Sequence, residues 1–320
     1  MTFAGSPDHV EARLVPEAGY EFDGFHVSGL PRRAPVAFAR GVLRAGSAVR
    51  ACRRILASRR PDVVLGGGGY VSGPMVAAAG TSRIPAALME ADAELGLANR
   101  LAAPFARRVF LAFPIAGDEG GKYRVTGRPI PRRSRTVNRV EARAEFELPA
   151  DGPVVLVFGG SQGARALNEL AVDSFGASGP PVLHLCGERD YDALRDRVSR
   201  TDYRLVAFTD RFGAALSAVD LAVARAGGSV WELAAAGLPS ILVPYPHATA
   251  AHQAKNAAYF ERAGGAIVIA ETELERVPRC VKELVEDTPR RTRMCEAMLR
   301  VARPDAAGEI AEELIALARA

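Results

Sequence analysis

Apolar and polar positions along this chain alternate in blocks that predict strands and helices in turn. Segments of helical character lie between short apolar runs that are typical of buried strands. In the first part of the chain the predicted strands are MTFAG, PDVVLGG, PAALME and RRVFLAF, and the helical segments include PMVAAAG and LGLANRLAAPFA. This order predicts an α/β fold in which a parallel sheet has helices on both faces.

The same pattern starts again after VTGRPIPRRSRTVNR, a Pro- and Arg-rich stretch at residues 125–139. Further strands are predicted at VVLVFGG, VLHLCG, YRLVAF, LAVARAGG, SILVPYP and AIVIA, and AAGEIAEELIALARA predicts an amphipathic closing helix. A chain of 320 residues is about twice the length of a typical domain. We therefore predict two similar α/β domains, residues 1–126 and residues 127–320.

Composition narrows the class of protein. No apolar run approaches the roughly 20 residues that a membrane-spanning helix needs. The first residues, MTFAGSPDHVEARL, have neither the basic nor the apolar region of a signal peptide. The four cysteines have no metal-ligand or C-x-x-C spacing, which favours a reducing cytoplasm over a disulfide framework or a zinc site.

Charge is unevenly distributed between the two predicted domains. Residues 1–126 carry 16 Lys and Arg against 11 Asp and Glu, whereas the remainder is close to neutral. A basic first domain suggests contact with something anionic. Aromatic residues make up only 7% of the chain and do not interleave with the basic ones, so a nucleic-acid partner is not expected.

Each predicted domain has a glycine-rich loop directly after a strand, LGGGGYVSGP in the first and FGGSQGARALNE in the second. Open α/β sheets bind ligands at the carboxyl ends of their strands, where glycine allows close approach and free N–H groups can bind phosphate. Neither loop matches the dinucleotide fingerprint or the Walker A motif. A role in packing alone is the alternative for each loop.

A third segment, RAGGSVWELAAAGLPSILVPYPHATAAHQAKNAAYF at residues 225–260, is more informative. Gly228, Ser229 and Val230 can direct N–H groups at a diphosphate. Glu232, one turn later, can accept both hydroxyls of a ribose, although a first-turn glutamate is also favoured by the helix dipole alone. The polar loop before AKN carries imidazole and amide groups that suit a hydroxyl-rich ligand, or that simply cap the next helix.

Taken together, these segments resemble the MurG family of GT-B glycosyltransferases, glycosyltransferase family 28. The resemblance covers essentially the whole chain. It rests on GGYVSGP and LGLANR in the first half, and on GGSQGAR with its following LN, RAGGSVWELAAAGLP and HQAKNA in the second. It implies two Rossmann-like domains with parallel sheets that face a cleft. It also implies an acceptor domain followed by a donor-binding domain.

The resemblance implies a role for each matching position. The expected donor-binding residues are Ser161, Gln162, Thr209, Gly227, Gly228, Ser229, Glu232, His252 and Gln253. The expected acceptor-binding residues are Gly68, Gly69, Tyr70, Ser72 and Gly73, and Asp92 and Asn99 are expected at the cleft. The two glycine loops would then hold one diphosphate from each substrate.

The implied reaction is an inverting transfer of N-acetylglucosamine (GlcNAc) from UDP-GlcNAc to lipid I, the undecaprenyl-diphosphate-linked MurNAc-pentapeptide, with no metal and no cofactor. Two alternatives remain: a UDP-sugar transferase with another lipid acceptor, and a UDP-sugar-binding homologue that has lost catalysis.

The chain departs from the family pattern at its start. Family members begin with a strand and a GGTGGH-type loop, whereas this sequence begins at what resembles their second strand. We therefore expect a truncated first domain that lacks about 30–35 residues, one βα unit. The absent loop carries the histidine favoured as the general base, so no catalytic base is assigned. His9 is expected to be a surface turn residue.

Two departures lie inside the motifs. The family sequence HEQN reads MEAD here, so Asp92 replaces an amide. The family sequence GNPVR reads GRPIP, so its arginine is replaced by Pro131, and Arg128 or Arg132 is left as a substitute.

A basic helical region, PVAFARGVLRAGSAVRACRRILASRR at residues 35–60, bears on the lipid-linked substrate. Arg50, Arg53 and Arg54 cluster there, with apolar residues interspersed. Arginines attract anionic lipid headgroups, so we expect peripheral attachment to the cytoplasmic face of the membrane. An ordinary solvated helix face is the alternative.

Overall fold

The computed structural model of the chain describes residues 1–27, 35–115, 117, 120–160, 164–248 and 251–320, and for residues 35–45 it describes the backbone alone. These residues form two compact units, Met1–Thr126 with Gly308–Ala320, and Gly127–Ala307. The boundary between residues 126 and 127 agrees with the one predicted from the sequence. Residues 308–320 were predicted to belong to the second domain, whereas the structure packs them with the first unit.

The first unit contains two parallel sheets. The smaller one pairs β1 with β2, and the larger one has the order β3-β4-β5-β6. The strands are β1 (Thr2–Gly5), β2 (Glu21–Gly24), β3 (Val64–Gly66), β4 (Ala86–Glu90), β5 (Arg108–Leu111) and β6 (Tyr123–Val125). Strands β2 and β6 were not predicted, because EFDG and YRV contain few apolar residues and have no buried position.

Helices cover these sheets as the alternating pattern predicts. They are α1 (Glu11–Glu17), α2 (Pro35–Arg59), α3 (Gly69–Thr81) and α4 (Leu97–Ala102). On α2, Ala48, Cys52 and Leu56 recur every four residues and are buried in the core of the unit. Since Leu56 is in this core, α2 packs inward there, while its arginines at positions 50, 53 and 54 stay exposed.

The closing helix α13 (Ala306–Arg319) completes the first unit. Its Ile310 and Leu317 are buried against Ala87 of β4 and Phe110 of β5. At the edge of this contact Glu313 accepts a hydrogen bond from Nε of Arg108 at 3.0 Å. The apolar stripe of this amphipathic helix therefore packs on the sheet of the first unit, while its polar side pairs at the edge.

The second unit is a six-stranded parallel sheet of order β12-β11-β10-β7-β8-β9. Its strands are β7 (Val155–Phe158), β8 (Val182–Leu185), β9 (Tyr203–Val206), β10 (Leu221–Ala224), β11 (Ser240–Leu242) and β12 (Ala266–Val268). All six predicted strands are confirmed. Every residue of β7, β8, β10 and β11 is buried, as in a sheet covered on both faces.

The helices of the second unit are α5 (Arg139–Glu145), α6 (Arg165–Phe175), α7 (Glu188–Leu194), α8 (Phe212–Ser217), α9 (Val230–Ala235), α10 (His252–Arg262), α11 (Val277–Glu286) and α12 (Thr288–Val301). The strand order reverses between β7 and β10, which are adjacent although five elements of chain separate them. In open α/β sheets the loops at such a reversal form the ligand crevice.

A buried polar network ties α6 to this sheet. Asn168 of α6 donates to the carbonyl of Cys186 at 2.8 Å and to Asp190 at 2.9 Å. Its carbonyl oxygen lies 3.0 Å from Nε2 of His184, whose Nδ1 lies 2.8 Å from the hydroxyl of Tyr203. Because the amide oxygen of Asn168 can only accept, Nε2 carries a proton, and in the neutral ring Nδ1 accepts from the hydroxyl of Tyr203. Burial lowers the pKa of His184 from 6.5 to about 3.

This network predicts a specific loss of stability in acid. Between pH 7 and pH 5 the unfolded chain protonates this histidine while the folded chain does not, so the free energy of unfolding should fall by about 2 kcal/mol from this group. Denaturant unfolding at both pH values should show that the fall is smaller by about this amount in His184→Gln than in the parent chain. An equal fall in both proteins would contradict the assignment.

Candidate functional site

The glycine loop of the first unit forms a tight turn between β3 and α3. Gly68 adopts a φ of 97°, in the region that favours glycine, and α3 begins at Gly69. Ser72, which is buried, donates from Oγ to the carbonyl of Gly68 at 2.6 Å, and so holds the loop on the helix. Gly73 follows on the same turn of α3. The predicted acceptor residues thus lie together on one loop and helix start.

Tyr70 is the large exposed side chain of this loop. Its hydroxyl lies 2.5 Å from Nε2 of His9, and the two rings meet edge to face. His9 follows β1, so the carboxyl ends of β1 and β3 both contribute to this surface. The expectation of a solvent-exposed turn residue holds for His9, but the residue also contacts the loop.

A carboxylate at the end of β4 organises the neighbouring loop. Glu90 accepts hydrogen bonds from the backbone N–H of Asp92 at 3.2 Å and of Gly96 at 2.8 Å. It also accepts from Nδ2 of Asn99 at 2.9 Å. Sequence reasoning singled out Asp92 and missed Glu90, although a glutamate that closes an apolar strand was a signal.

Asn99 itself is 2% exposed. Its Nδ2 also donates to the carbonyl of Met89 at 3.1 Å, and its Oδ1 is buried without a hydrogen-bond partner among the described residues. This side chain therefore supports the loop after β4 from inside the unit, and the position of Asn99 at the cleft stays a prediction.

In the second unit, the loop after β7 continues through Gly159 and Gly160 towards α6. Ser161 and Gln162, predicted to bind the donor, lie outside the described residues.

The RAGGSVWE segment follows β10, beside that loop at the reversal of strand order. Arg225 is 7% exposed and forms an ion pair with Glu271. It also donates to the carbonyl of Val243 at 3.3 Å, so it fixes the start of the segment to the end of β11. Gly228 and Ser229 donate no backbone hydrogen bond within the described part of the chain. Their N–H groups are available to an anion.

Helix α10 braces the same segment. Asn256 is fully buried and donates from Nδ2 to the carbonyl of Ala226 at 3.2 Å. Gln253 accepts a hydrogen bond from the backbone N–H of Tyr245 at 2.9 Å. A methyl group built on Gly227 would lie 3.9 Å from Nε2 of Gln253, so this amide flanks the glycines. His252 is half-buried at the start of the helix.

Residues 127–139, at the start of the second unit, contribute two further side chains to this surface. Ser134, which is buried, donates from Oγ to Oε1 of Glu232. Arg128 places its guanidinium over Gly228. Ser134 was not predicted, since it lies 98 residues from its partner and outside every motif. Arg128 was one of two candidates for the missing arginine.

Thr209 lies in the loop after β9, on the far side of β8 from β7. Its Oγ1 accepts a hydrogen bond from the backbone N–H of Arg211 at 3.0 Å, which closes a local turn. Phe208 beside it is 56% exposed. The structure thus shows a formed loop at this position, and the reading of a base by its backbone stays a prediction.

Two further findings concern the chemistry available. Among the residues that the structure describes, no group of three His, Cys, Asp or Glu side chains is arranged to hold a metal ion. No helix in the same residues is long and apolar enough to cross a membrane.

Two α/β units with parallel sheets, each with a glycine loop at its strand ends, are the architecture of the GT-B glycosyltransferases. Sequence comparison gives the family within this class. The Glycosyltransferase family 28 N-terminal domain matches residues 2–111, and the family 28 C-terminal domain matches residues 154–310. The chain belongs to glycosyltransferase family 28.

Individual relatives agree with this assignment. Two proteins named UDP-N-acetylglucosamine–N-acetylmuramyl-(pentapeptide) pyrophosphoryl-undecaprenol N-acetylglucosamine transferase are similar over most of their length. The one from Halothermothrix orenii is 37% identical over 95% of this chain and 87% of its own. The one from Salinibacter ruber is 40% identical over 99% and 88%. The resemblance inferred from the motifs is confirmed.

A solved structure supports the fold. The crystal structure of Acinetobacter baumannii MurG matches with a TM-score of 0.74 and 24% identity, over 98% of this chain and 90% of that one. The predicted GT-B fold is confirmed.

Proposed function

We propose that this chain transfers GlcNAc from UDP-GlcNAc to the C4 hydroxyl of MurNAc in lipid I, with inversion at the anomeric carbon. The observation that carries the proposal is the RAGGSVWE segment at the reversal of strand order. There, two glycines, free N–H groups and an oriented carboxylate converge. Similarity over most of the length of two relatives named for this reaction supports the acceptor as well as the donor.

The donor half of the reaction is assigned to the second unit. The N–H groups of Gly228 and Ser229 bind the diphosphate, and Glu232 binds the ribose hydroxyls through its carboxylate. Gln253 and His252 bind hydroxyls of the sugar, and Gly227 lies beside the amide of Gln253. Ser161 and Gln162 are assigned to the donor from the family motif alone, since they lie outside the described residues. The loop at Thr209 reads the uracil edge.

The acceptor half is assigned to the first unit. The loop from Gly68 to Gly73, with Tyr70 exposed on it, binds the diphosphate of the lipid-linked substrate. Asp92 lies in the neighbouring loop that Glu90 holds, and Asn99 lies on helix α4, which follows that loop.

The transfer breaks one bond and forms one. The C4 hydroxyl oxygen of the acceptor forms a bond to the anomeric carbon, and its proton passes to a general base. The bond from that carbon to the β-phosphate oxygen breaks, and its electron pair leaves with UDP. The departing diphosphate gains negative charge, and preorganised N–H donors at Gly228 and Ser229 stabilise that charge as it develops. This assignment requires no metal ion and no cofactor.

A basic face of the first unit is proposed to hold the enzyme at the anionic inner leaflet, as a peripheral protein at the cytoplasmic face. Arg50, Arg53 and Arg54 are exposed on α2, while the opposite stripe of that helix is buried in the core. The helix therefore has polar arginine groups to offer a surface without giving up its packing. The side chains of residues 35–45, including Arg40 and Arg44, lie outside the described residues.

Acceptor-dependent release of UDP is the test of the reaction. We expect release from UDP-GlcNAc to require lipid I, and to be absent with lipid-linked diphosphates that lack MurNAc. Turnover with another lipid acceptor alone would favour a different transferase. Binding of UDP-GlcNAc with no release for any acceptor would instead identify a non-catalytic binding homologue.

The ribose assignment gives a second prediction. Ser134→Ala should lower UDP affinity about threefold to tenfold, because Glu232 loses the hydrogen bond that orients it. Calorimetry with 2′,3′-dideoxy-UDP should show no difference between parent and variant, since that ligand has no hydroxyls to bind. Thr136→Ala, an exposed change on the same segment, serves as the control. An equal loss for both ligands would indicate a merely structural role for Ser134.

The membrane assignment gives a third. The triple change of Arg50, Arg53 and Arg54 to Gln should weaken cosedimentation with phosphatidylglycerol vesicles by about a hundredfold, at about 1 kcal/mol per arginine. Binding to phosphatidylcholine vesicles should be weak for both proteins. The same changes at the exposed Arg279, Arg293 and Arg300 of the second unit alter net charge equally and should have little effect. Equal losses from both triple variants would contradict a localised surface.

A further inference from the structure

The first residues of the second unit, 127–139, place the guanidinium of Arg128 directly on the glycine pair of the proposed donor site. A methyl group built on Gly228 would lie 2.2 Å from Nη1 of Arg128 and 2.3 Å from its Cζ. Only a glycine leaves room for this contact. The guanidinium of Arg128, which lies 100 residues earlier in the chain, therefore occupies the space that a side chain at position 228 would need.

The backbone around Arg128 is restricted on both sides. Gly127 has a φ of 80°, and a methyl group there would lie 2.3 Å from Cβ of Arg303. Pro129 follows, and a residue before proline is disfavoured in the helical region. Thus Arg128 projects from a short stretch with few alternative conformations, which reduces the entropy lost when its side chain binds a ligand.

Arg128 is half-buried and forms no ion pair or hydrogen bond with any residue that the structure describes. The carboxylate of Glu232 already accepts from Ser134. Other arginines at this sheet are paired: Arg225 with Glu271, and Arg143 with Asp220. A half-buried guanidinium without an acceptor keeps its donors available for an anionic ligand.

We propose that Arg128 binds the diphosphate of the nucleotide-sugar donor. This inference rests on the proposed function and deepens it, because it supplies a cation to the donor site. The planar guanidinium presents paired N–H donors that match phosphate oxygens. The N–H groups of Gly228 and Ser229 contact the diphosphate from the loop, and Arg128 contacts it from the start of the second unit.

The geometry also decides between the two candidates for the arginine that Pro131 replaces. Arg132 is exposed and begins the short 3-10 helix that delivers Ser134 to Glu232. Pro131 precedes this helix and is itself exposed. In this chain the motif therefore supplies its cation three positions earlier, at Arg128, while the end of the same segment positions the ribose carboxylate.

The test is a series of ligands that differ only in their number of phosphate groups. Affinities of UDP, UMP and uridine should be measured by calorimetry for the parent chain, Arg128→Gln and Arg128→Lys. We expect Arg128→Gln to weaken UDP binding about tenfold to a hundredfold and to leave uridine binding unchanged. Arg128→Lys should recover part of the loss, since it restores charge without the planar fork.

Arg132→Gln is the matched control, because it removes the same charge from the same segment. It should leave UDP affinity within about twofold of the parent. Melting temperatures should be similar for all variants, since Arg128 has no partner to lose within the described residues. The proposal is overturned if Arg128→Gln binds UDP as the parent does. It is also overturned if that variant binds UDP more tightly, which would make the guanidinium an obstruction.

Failure of the proposed function would give a different result. If dTDP or GDP replaces UDP as the preferred ligand, the same series of diphosphate, monophosphate and nucleoside should be measured for that nucleotide. The affinity for the diphosphate should again depend on Arg128. If UDP binds with dependence on Arg128 but no acceptor releases it from UDP-GlcNAc, the transfer reaction fails while the diphosphate contact stands. If all three ligands bind equally with or without Arg128, the diphosphate contact alone fails.

Discussion

The parallel pairing of every sheet strand is the constraint on which the rest of this structure depends. Parallel strands must be joined by crossovers, so all their carboxyl ends, and the loops that follow them, lie at one edge of each sheet. The strands β7, β8, β10 and β11 of the second unit are buried on both faces and carry almost only apolar side chains. Binding chemistry is therefore confined to the loops. In the second unit it is concentrated where β7 and β10 lie side by side and their loops diverge.

Glycine loops at such an edge need support from outside themselves, because they have no side chains with which to hold a conformation. Here the support comes from buried polar groups on neighbouring elements. Asn256 holds the carbonyl of Ala226, and Arg225 ties the same segment to the end of β11. Asn168 fixes α6 beside the other loop. With the RAGGSVWE segment held by these buried residues, the N–H groups of Gly228 and Ser229 donate no hydrogen bond within the described part of the chain, so they can bind a phosphate.

The sequence predicted the second unit better than the first, for a physical reason. Strands buried on both faces are continuous apolar runs, so all six were found, whereas the half-exposed β2 and β6 gave no such signal. Motifs singled out Gly227, Gly228 and Glu232, the residues proposed to bind the donor, because they lie in one short segment. Ser134 was missed because its role comes from a tertiary contact that no local pattern encodes. Glu90 closes an apolar strand, which is a signal, but its hydrogen bonds depend on the fold of the loop that follows. The placement of α13 likewise depends on a surface formed more than 190 residues earlier in the chain.

That placement affects the order in which the protein can form during synthesis. The second unit is complete once residue 307 has left the ribosome, and its six strands require nothing further along the chain. The first unit, although synthesised first, lacks the helix that covers Ala87 and Phe110 until the last residues emerge. Its apolar sheet face thus remains uncovered throughout translation of the second unit. The first unit is therefore synthesised first but completes its core last. Its uncovered sheet face is accessible to chaperones for longer than any apolar face of the second unit.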